Sequence, residues 1–207
     1  MTGRFVQNPP VTPRAAALLA DLDAFESAAS DDRERACLAR IRDFVLRSPD
    51  ALSRATLEGH VTASALVAQP DASRFLLLWH RKLGRWLQPG GHLEPGDESV
   101  FAAALREARE ETGIGTFAFP IGDRILDVDV HPIPAHGSDP PHFHYDIRHI
   151  FTVPRFPTTL PESCRVFTPD QALAAGVDDS LARALRKATD LLGSRPEHRA
   201  PNTEHRT

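Results

Sequence analysis

Three glutamates on one predicted helix are the residues of this chain best suited to chemistry. Residues 99–112 are predicted to form a helix that ends at Gly113, since glycine is the usual residue just past a helix end. At about 100° per residue, Glu107, Glu110 and Glu111 share one arc of that helix. Carboxylates at this spacing repel one another by roughly 0.2–0.5 kcal/mol per pair on an isolated helix. The pattern therefore indicates that a positive group binds there.

A glycine-rich loop precedes the predicted helix. In GGHLEPG (90–96) the glycines let main-chain amides or carbonyls approach a ligand or a metal closely. Mg²⁺ prefers oxygen ligands, keeps several waters and is commonly shared between a few carboxylates and substrate phosphates. Carboxylates, metal and an open loop together indicate phosphoryl chemistry, in which the ion neutralises phosphate charge and activates a water.

This stretch resembles the signature box of the Nudix hydrolase family, G-x5-E-x7-R-E-U-x-E-E-x-G-U, where U is a bulky aliphatic residue. Residues 106–114 match the last nine positions, with the small Ala108 at the first U. WLQPGG (86–91) is similar to the strand that leads into the box in that family. The resemblance covers roughly residues 58–192, and residues 1–57 lie outside it.

The loop is one residue longer than the family pattern. Seven residues separate Glu98 from Arg106, as the pattern requires, but Gly91 is then one residue too far away. Either the extra residue precedes Glu98, or Asp97 takes the glutamate position and the extra residue follows it. The spacing to Arg106 favours Glu98.

The resemblance implies a set of metal ligands. A Nudix enzyme of this kind would use Mg²⁺, with Mn²⁺ as the alternative ion. Its carboxylate ligands would be Glu107, Glu110 and Glu111, and Gly91 would offer its backbone carbonyl.

The resemblance also implies a reaction, the hydrolysis of a pyrophosphate bond in a nucleoside diphosphate linked to another moiety. Arg106 would orient Glu98 through a charge-assisted hydrogen bond. The general base is a box glutamate or one from a later loop, and Glu107 is our choice. The expected partner is therefore a small nucleoside diphosphate derivative, whose second moiety the sequence does not identify.

Polar and apolar side chains alternate over residues 142–149, which predicts a strand. His142, His144, Asp146 and Arg148 would share one face, opposite the apolar side chains between them. That face has three interpretations. In the first, the face contacts substrate, with Arg148 on phosphate and Asp146 on the attacking water. In the second, it holds an additional metal through its imidazoles, and in the third it is the half-solvated side of an antiparallel sheet.

A basic cluster precedes the glycine loop. Arg81, Lys82 and Arg85 either attract substrate phosphates or form an ordinary basic hairpin turn. Of the three, Arg85 is our candidate for substrate binding.

These residues must be positioned by an α/β fold. Residues 12–48 are predicted to form a helical hairpin, with Thr12 and Asp31 as the residues that cap its two helices. The apolar runs on either side of QPDAS (69–73) are predicted to form a β-hairpin. The resemblance implies a Nudix-type α/β/α sandwich with a mixed sheet. We expect a helical extension over 1–57, a Nudix domain over 58–193 and a disordered tail over 194–207.

The composition narrows the class of protein. The chain is 41% hydrophobic and 25% charged, with a formal net charge of −4, as is usual for a globular protein. Its mildly acidic balance, 28 Asp and Glu against 24 Lys and Arg, gives no electrostatic signature of a duplex nucleic-acid binder. No stretch approaches the roughly 20 apolar residues that span a bilayer. Cys37 and Cys164 are too far apart for a disulfide framework, so a reducing, cytoplasmic compartment is expected. The N-terminal hairpin either packs on the sheet or forms a homodimer contact.

Two functions compete with hydrolysis. Some Nudix-fold domains bind a nucleotide-like ligand and regulate without cleaving it, but those tend to lose box glutamates, which are all present here. Diphosphate isomerase chemistry in Nudix-like enzymes needs a cysteine and a glutamate in the cleft, and neither cysteine lies near a recognisable motif.

Overall fold

A computed structural model describes residues 11–135, 137 and 140–194 of the chain. The predicted disordered tail, apart from Ser194, lies outside the described residues. Among the described helices, none combines the length and the apolar character needed to cross a membrane.

The predicted helical hairpin is confirmed as α1 (Pro13–Phe25) and α2 (Asp32–Arg47). Each helix begins at the cap that the sequence indicates, because the side chains of Thr12 and Asp31 accept hydrogen bonds from amides of the first turn. The hairpin packs against the sheet, and the buried side chains that it contributes to the core include Leu18, Leu22, Ile41 and Phe44.

Seven strands of the described chain form one mixed sheet. They are β1 (Gly59–Ala68), β2 (Phe75–His80), β3 (Arg85–Leu87), β4 (Gly90–His92), β5 (Asp127–Ile133), β6 (His142–Thr152) and β7 (Cys164–Phe167). The order is β3-β2-β1-β6-β5, with β4 also paired to β1 and β7 to β2. The β1 and β6 strands are parallel, and the other paired strands are antiparallel. The β1–β2 pair confirms the predicted β-hairpin.

Helices cover both faces of the sheet, as the expected α/β/α sandwich requires. One face packs on α1, α2 and α3 (Val100–Thr112), and residues such as Ala63 and Ile147 point to that core. The other face packs on α4 (Pro169–Ala174) and α5 (Asp179–Gly193). Because side chains alternate along a strand, neighbouring residues of β1 and β6 belong to opposite layers.

The helix that carries the box glutamates is α3. Ser99 caps its first turn, and Gly113 ends it in the left-handed conformation with φ 71°. Its most buried side chains are small: Ala103, Ala104 and Ala108 are fully covered. These residues let α3 lie close to the sheet, which brings the glutamates of its next turn to the neighbouring strand β4.

Candidate active site

Two box glutamates meet the main chain of β4. The amide of Gly90 donates a hydrogen bond to Oε2 of Glu111 at 2.9 Å. At the next residue, a β-carbon on Gly91 would collide with both carboxylate oxygens of Glu107. A side chain at position 91 would therefore displace the Glu107 carboxylate, and both Glu107 and Glu111 contact neighbouring residues of the strand.

Arg106 is held by Asp97, which corrects the expected pairing with Glu98. The Arg106 guanidinium donates to the two Asp97 oxygens at 3.1 and 3.0 Å, whereas Glu98 is exposed. A tight turn explains this difference: the Asp97 amide donates to the carbonyl of Glu94 at 3.1 Å, and the Glu94 amide returns a bond to the Asp97 carboxylate at 2.7 Å. The extra residue of the loop therefore follows Asp97.

The Arg106 guanidinium joins this loop to β4 and to two glutamates. It donates to the carbonyl of His92 at 2.9 Å, to Glu107 at 2.9 Å and to Glu110 at 3.3 Å. The hydrogen bonds that Arg106 donates to Asp97, and then the one to Glu107, raise the pKa of Arg106 further above its usual range. Arg106 is therefore a permanent positive charge that fixes the position of the loop relative to α3.

The carboxyl groups of the site differ in their ionisation. Burial raises the pKa of Glu107 and of Glu111 above the usual glutamate value, and the negative charge of Glu110 adds to this effect. Burial would also raise the pKa of Asp97, but the hydrogen bonds from Arg106 and from the Glu94 amide outweigh it and lower that pKa. The two half-buried glutamates are thus destabilised as anions, which a cation would relieve.

An open cleft lies beside this pair of glutamates. Its volume is about 210 Å³, and Glu111 and Gly90 form part of its wall. Trp79, which is 40% exposed, offers an aromatic surface in the same cleft. The other residues that line it are Leu78, His80, Leu87, Gln88 and Ser163.

The structure places Arg85 beside the first turn of α5. Its guanidinium pairs with the carboxylate of Asp178 at 3.6 Å, and about half of its side chain is exposed. Contact of Arg85 with a substrate stays a prediction.

The structure corrects the expected substrate contacts of Arg148 and Asp146. Both belong to the predicted polar face of β6, but they are only 3% and 2% exposed. Arg148 donates to Asp146 at 3.1 Å, to Asp127 at 2.9 Å and to Ser180 at 2.6 Å. The reason is that α5, which carries Ser180, covers this part of the sheet. A buried guanidinium must then find its acceptors within the protein.

The buried charges around Arg148 continue into the N-terminal hairpin. Asp127 also accepts two hydrogen bonds from Arg183 of α5, at 2.8 and 3.0 Å. Glu34 of α2 is fully buried and accepts a hydrogen bond from Lys187 of α5 at 2.7 Å. The hairpin is thus tied by charge to the last helix. The sequence gives no local signal for this, because the partners lie more than a hundred residues apart.

His144 lies at the other end of the same polar face, where four further histidines gather. Its ring centroid is 5.0 Å from that of His60 and 5.3 Å from that of His92. Burial and the neighbouring imidazoles lower the pKa of His144 to about 2, so its ring is neutral near pH 7. His131 and His142 lie on its other sides, with centroids 5.5 and 5.2 Å away.

Sequence reasoning found His144 and His142 but missed His60 and His92 as their neighbours. A signal does exist in β1, where His60, Thr62 and Ser64 alternate with apolar residues as the polar residues of β6 do. Only the pairing of β1 with β6, in which His60 stands opposite His144, shows that the two polar faces coincide.

Comparison with known proteins agrees with this architecture. Residues 59–189 match the NUDIX domain. Over 70 residues the chain is 44% identical to YvcI of Bacillus subtilis (strain 168), an uncharacterized Nudix hydrolase, and the match spans 29% of this chain and 43% of that protein.

Two solved structures are also similar. The Ap4A hydrolase of C. elegans is 22% identical, with a TM-score of 0.46 over 64% of this chain and 97% of its own. The dihydroneopterin triphosphate pyrophosphohydrolase of E. coli is 18% identical, with a TM-score of 0.46 over 61% and 92%. The domain match covers well over half of the 207 residues and includes every residue of the glutamate site. By that match, and by the box residues gathered on α3 and β4, the chain belongs to the Nudix family.

Proposed function

We propose that this protein hydrolyses a pyrophosphate bond in a nucleoside diphosphate linked to another moiety, with the help of a divalent cation. The observation that carries the proposal is the meeting of Glu107 and Glu111 at the main chain of Gly90 and Gly91. Two half-buried carboxylates beside two glycines, which leave the main chain of the strand accessible, make a site for a small hard cation.

The residues present fit Mg²⁺, or Mn²⁺ in its place. Glu107 and Glu111 would supply carboxylate oxygens, and Glu110, whose side chain is more than half exposed, would supply a third from the solvent side. The carbonyl of Gly91 is the proposed main-chain ligand. Bound there, the ion would neutralise phosphate charge and make a water more acidic.

The protein groups around this site would hold its geometry. Arg106, anchored on Asp97 and on the His92 carbonyl, fixes the turn of α3 on which Glu107 stands. Glu107 is our candidate for accepting the proton of the attacking water.

The cleft beside Glu111 is the proposed seat of the nucleoside part. Trp79 could stack on a base while the pyrophosphate reaches the glutamates. In this arrangement Arg85 stays a candidate for substrate contact, and Arg148 and Asp146 act as buried supports of the sheet. The expected substrate contact of His144 is not part of it, because His144 stands opposite His60, on the face of the sheet away from Glu107.

The two competing functions make different predictions. A purely ligand-binding module would not need the complete set of box glutamates that this chain has. The isomerase alternative needs a reactive cysteine, but the Cys164 thiol donates to the main-chain carbonyl of Glu111 at 3.4 Å, and burial raises its pKa. That thiol therefore has a structural role at the end of α3.

A substrate screen tests the proposal. The full chain would be incubated with Mg²⁺ and a panel of nucleoside diphosphate sugars, dinucleoside polyphosphates and nucleoside triphosphates, and phosphate would be measured after phosphatase treatment. We expect turnover of at least one class, lost when Mg²⁺ is chelated and lost in Glu111→Gln. Tight binding of a panel member without turnover would instead support the regulatory module.

The two cysteines are free thiols, and we propose a reducing, cytoplasmic compartment on that basis. A homodimer contact through the N-terminal hairpin stays a prediction.

A further inference from the structure

Five histidines from four strands crowd one end of the sheet. The ring centroid of His60 lies 4.8 Å from that of His92 and 5.0 Å from those of His142 and His144. His131 adjoins the group through His144. This concentration of imidazole serves no step of the proposed hydrolysis.

The cluster lies on the face of the sheet opposite the box helix. His60 precedes Leu66 of the same strand by six residues, so it shares the face of Leu66, which packs in the core of α5. His92 follows Gly91, whose β-carbon position faces Glu107 of α3, so the His92 side chain takes the other face. The imidazoles and the glutamates are therefore separated by the sheet itself.

Strand pairing explains why three of these rings converge. In the parallel pair of β1 with β6, His60 stands opposite His144. In the antiparallel pair of β1 with β4, His92 stands opposite Thr62, the next residue of β1 on the same face as His60. Three neighbouring strands thus each place one imidazole at the same point.

We propose that His60, His92 and His144 form a second metal site, which binds a divalent first-row transition cation such as Zn²⁺. One ring nitrogen from each lies within 4.8 Å of the nitrogens of the other two. Imidazole nitrogen is a ligand that Zn²⁺, Ni²⁺ and Cu²⁺ take readily, whereas Mg²⁺ prefers oxygen. The histidine site should therefore bind the transition-metal ion and the glutamate site Mg²⁺.

The three rings must move closer together to bind the ion. With Zn–N bonds of about 2.0–2.1 Å, tetrahedral ligand nitrogens lie about 3.4 Å apart. Closing from 4.8 Å to that spacing would take rotations about the Cβ–Cγ bonds, for which histidine has a broad energy well.

His142 is the best-placed further ligand. Its Nδ1 lies 2.9 Å from the carbonyl of Pro140, and because a carbonyl only accepts, Nδ1 carries the proton. The lone pair then resides on Nε2. A hydrogen bond of this kind is the usual outer support of a metal-binding imidazole. His131 has a similar bond from its Nδ1 to Asp129 at 3.2 Å.

An ion in this site would stabilise the strand that forms the glutamate site. His92 offers its imidazole to the histidine cluster and its carbonyl to Arg106. Binding would tie β4 to β1 and β6, and so would hold the segment against which Glu107 and Glu111 pack.

Metal titration of the full chain, purified without a histidine tag and stripped with chelator, tests the proposal. Mg²⁺ is kept in excess to occupy the glutamates, and Zn²⁺ is added while bound metal and melting temperature are measured. We expect the wild type to bind Zn²⁺ in a 1:1 ratio and to melt at a higher temperature with it. Co²⁺ in place of Zn²⁺ should give the visible absorption bands of a site with nitrogen ligands.

Variants of the cluster and matched controls show whether Zn²⁺ binds at these histidines or elsewhere on the protein. His144→Ala and His60→Ala should weaken Zn²⁺ binding by more than the roughly 10–100-fold that loss of an outer support costs. His80→Ala, which removes an exposed histidine outside the cluster, and Glu111→Gln should bind as the wild type does. If the first two variants do not fold, His92→Asn serves instead, since it removes the imidazole and keeps the main-chain carbonyl.

Three results would overturn the proposal. The first is a wild type that takes up no Zn²⁺ under these conditions. The second is unchanged Zn²⁺ binding in the cluster variants, and the third is loss of Zn²⁺ binding in Glu111→Gln alone, which would locate the ion at the glutamates. Hydrolytic activity does not enter the readout, so failure here leaves the proposed function standing, and failure of that function leaves this site standing.

Discussion

The carboxylate of Glu107 occupies the space in which a β-carbon of Gly91 would stand. Gly91 does not have a positive φ, so alanine suits its backbone and the conflict is with the carboxylate alone. We expect Gly91→Ala to fold and to lose about 100-fold in kcat, the scale of loss from a misplacement of about 1 Å. Steady-state kinetics and circular dichroism would measure the two effects.

Gly96 provides the matched control for this substitution. It lies in the same loop, and a β-carbon there would meet nothing within 4 Å. Gly96→Ala should keep wild-type kcat. Equal losses in both variants would show that loop flexibility, and not the position of Glu107, is what Gly91 provides.

Exchange of neighbouring acids tests the anchor of Arg106. Asp97→Asn weakens two charge-assisted hydrogen bonds, each worth roughly 1.5–3 kcal/mol, and should lower kcat at least tenfold. Glu98→Gln should stay near wild-type activity because Glu98 is exposed. Kinetics at saturating Mg²⁺ show which of the two variants loses more activity. A larger loss in Glu98→Gln would restore Glu98 as the partner of Arg106.

Neutralising a box glutamate should separate activity from stability. Glu111→Gln keeps an oxygen for the Gly90 amide but removes a charge that burial disfavours. We expect kcat to fall by orders of magnitude, while the melting temperature without metal is unchanged or higher. Wild-type turnover at saturating Mg²⁺ would remove Glu111 from the proposed ligands.

Arg148→Ala should act on stability and not on KM. The variant leaves the buried Asp146 without its guanidinium, while Asp127 keeps only that of Arg183, and breaking a buried pair costs about 3–5 kcal/mol. Urea unfolding would measure the loss, with the exposed Arg85→Ala as a control that should cost less than about 1 kcal/mol. A stable Arg148→Ala protein with a raised KM would return Arg148 to substrate binding.

Asp97 also predicts a dependence of stability on pH. Its folded pKa is lower than the ordinary value of 3.8, so the folded state binds the proton less tightly than the unfolded chain does. Its contribution is therefore complete above the unfolded pKa and is lost as the pH falls through the folded one. The difference in unfolding free energy between wild type and Asp97→Asn should be constant from about pH 7 to 5 and smaller near pH 3. A difference that grows in acid would contradict this.

The spacing of residues within single helices and strands determined where those elements lie and which side chains share a face. The caps at Thr12 and Asp31, the extent of α3 and the shared arc of its glutamates follow from the spacing of a few residues, because helix geometry is local. The same holds for the alternation of β6, which predicts Phe143, Tyr145 and Ile147 on the core face. Tyr145 and Ile147 are buried there, and Phe143 at the end of the strand is only partly buried.

Tertiary structure alone decided what covers each face and which loop residue meets which partner. Periodicity shows that Arg148 shares a face with His144, but the position of α5 buries the first and leaves the second among imidazoles from other strands. Likewise Asp97 and Glu98 are adjacent in sequence, and the turn closed on Glu94 selects Asp97 for Arg106. Contacts between distant segments depend on how whole elements pack together, and the spacing of residues within one element does not predict that packing.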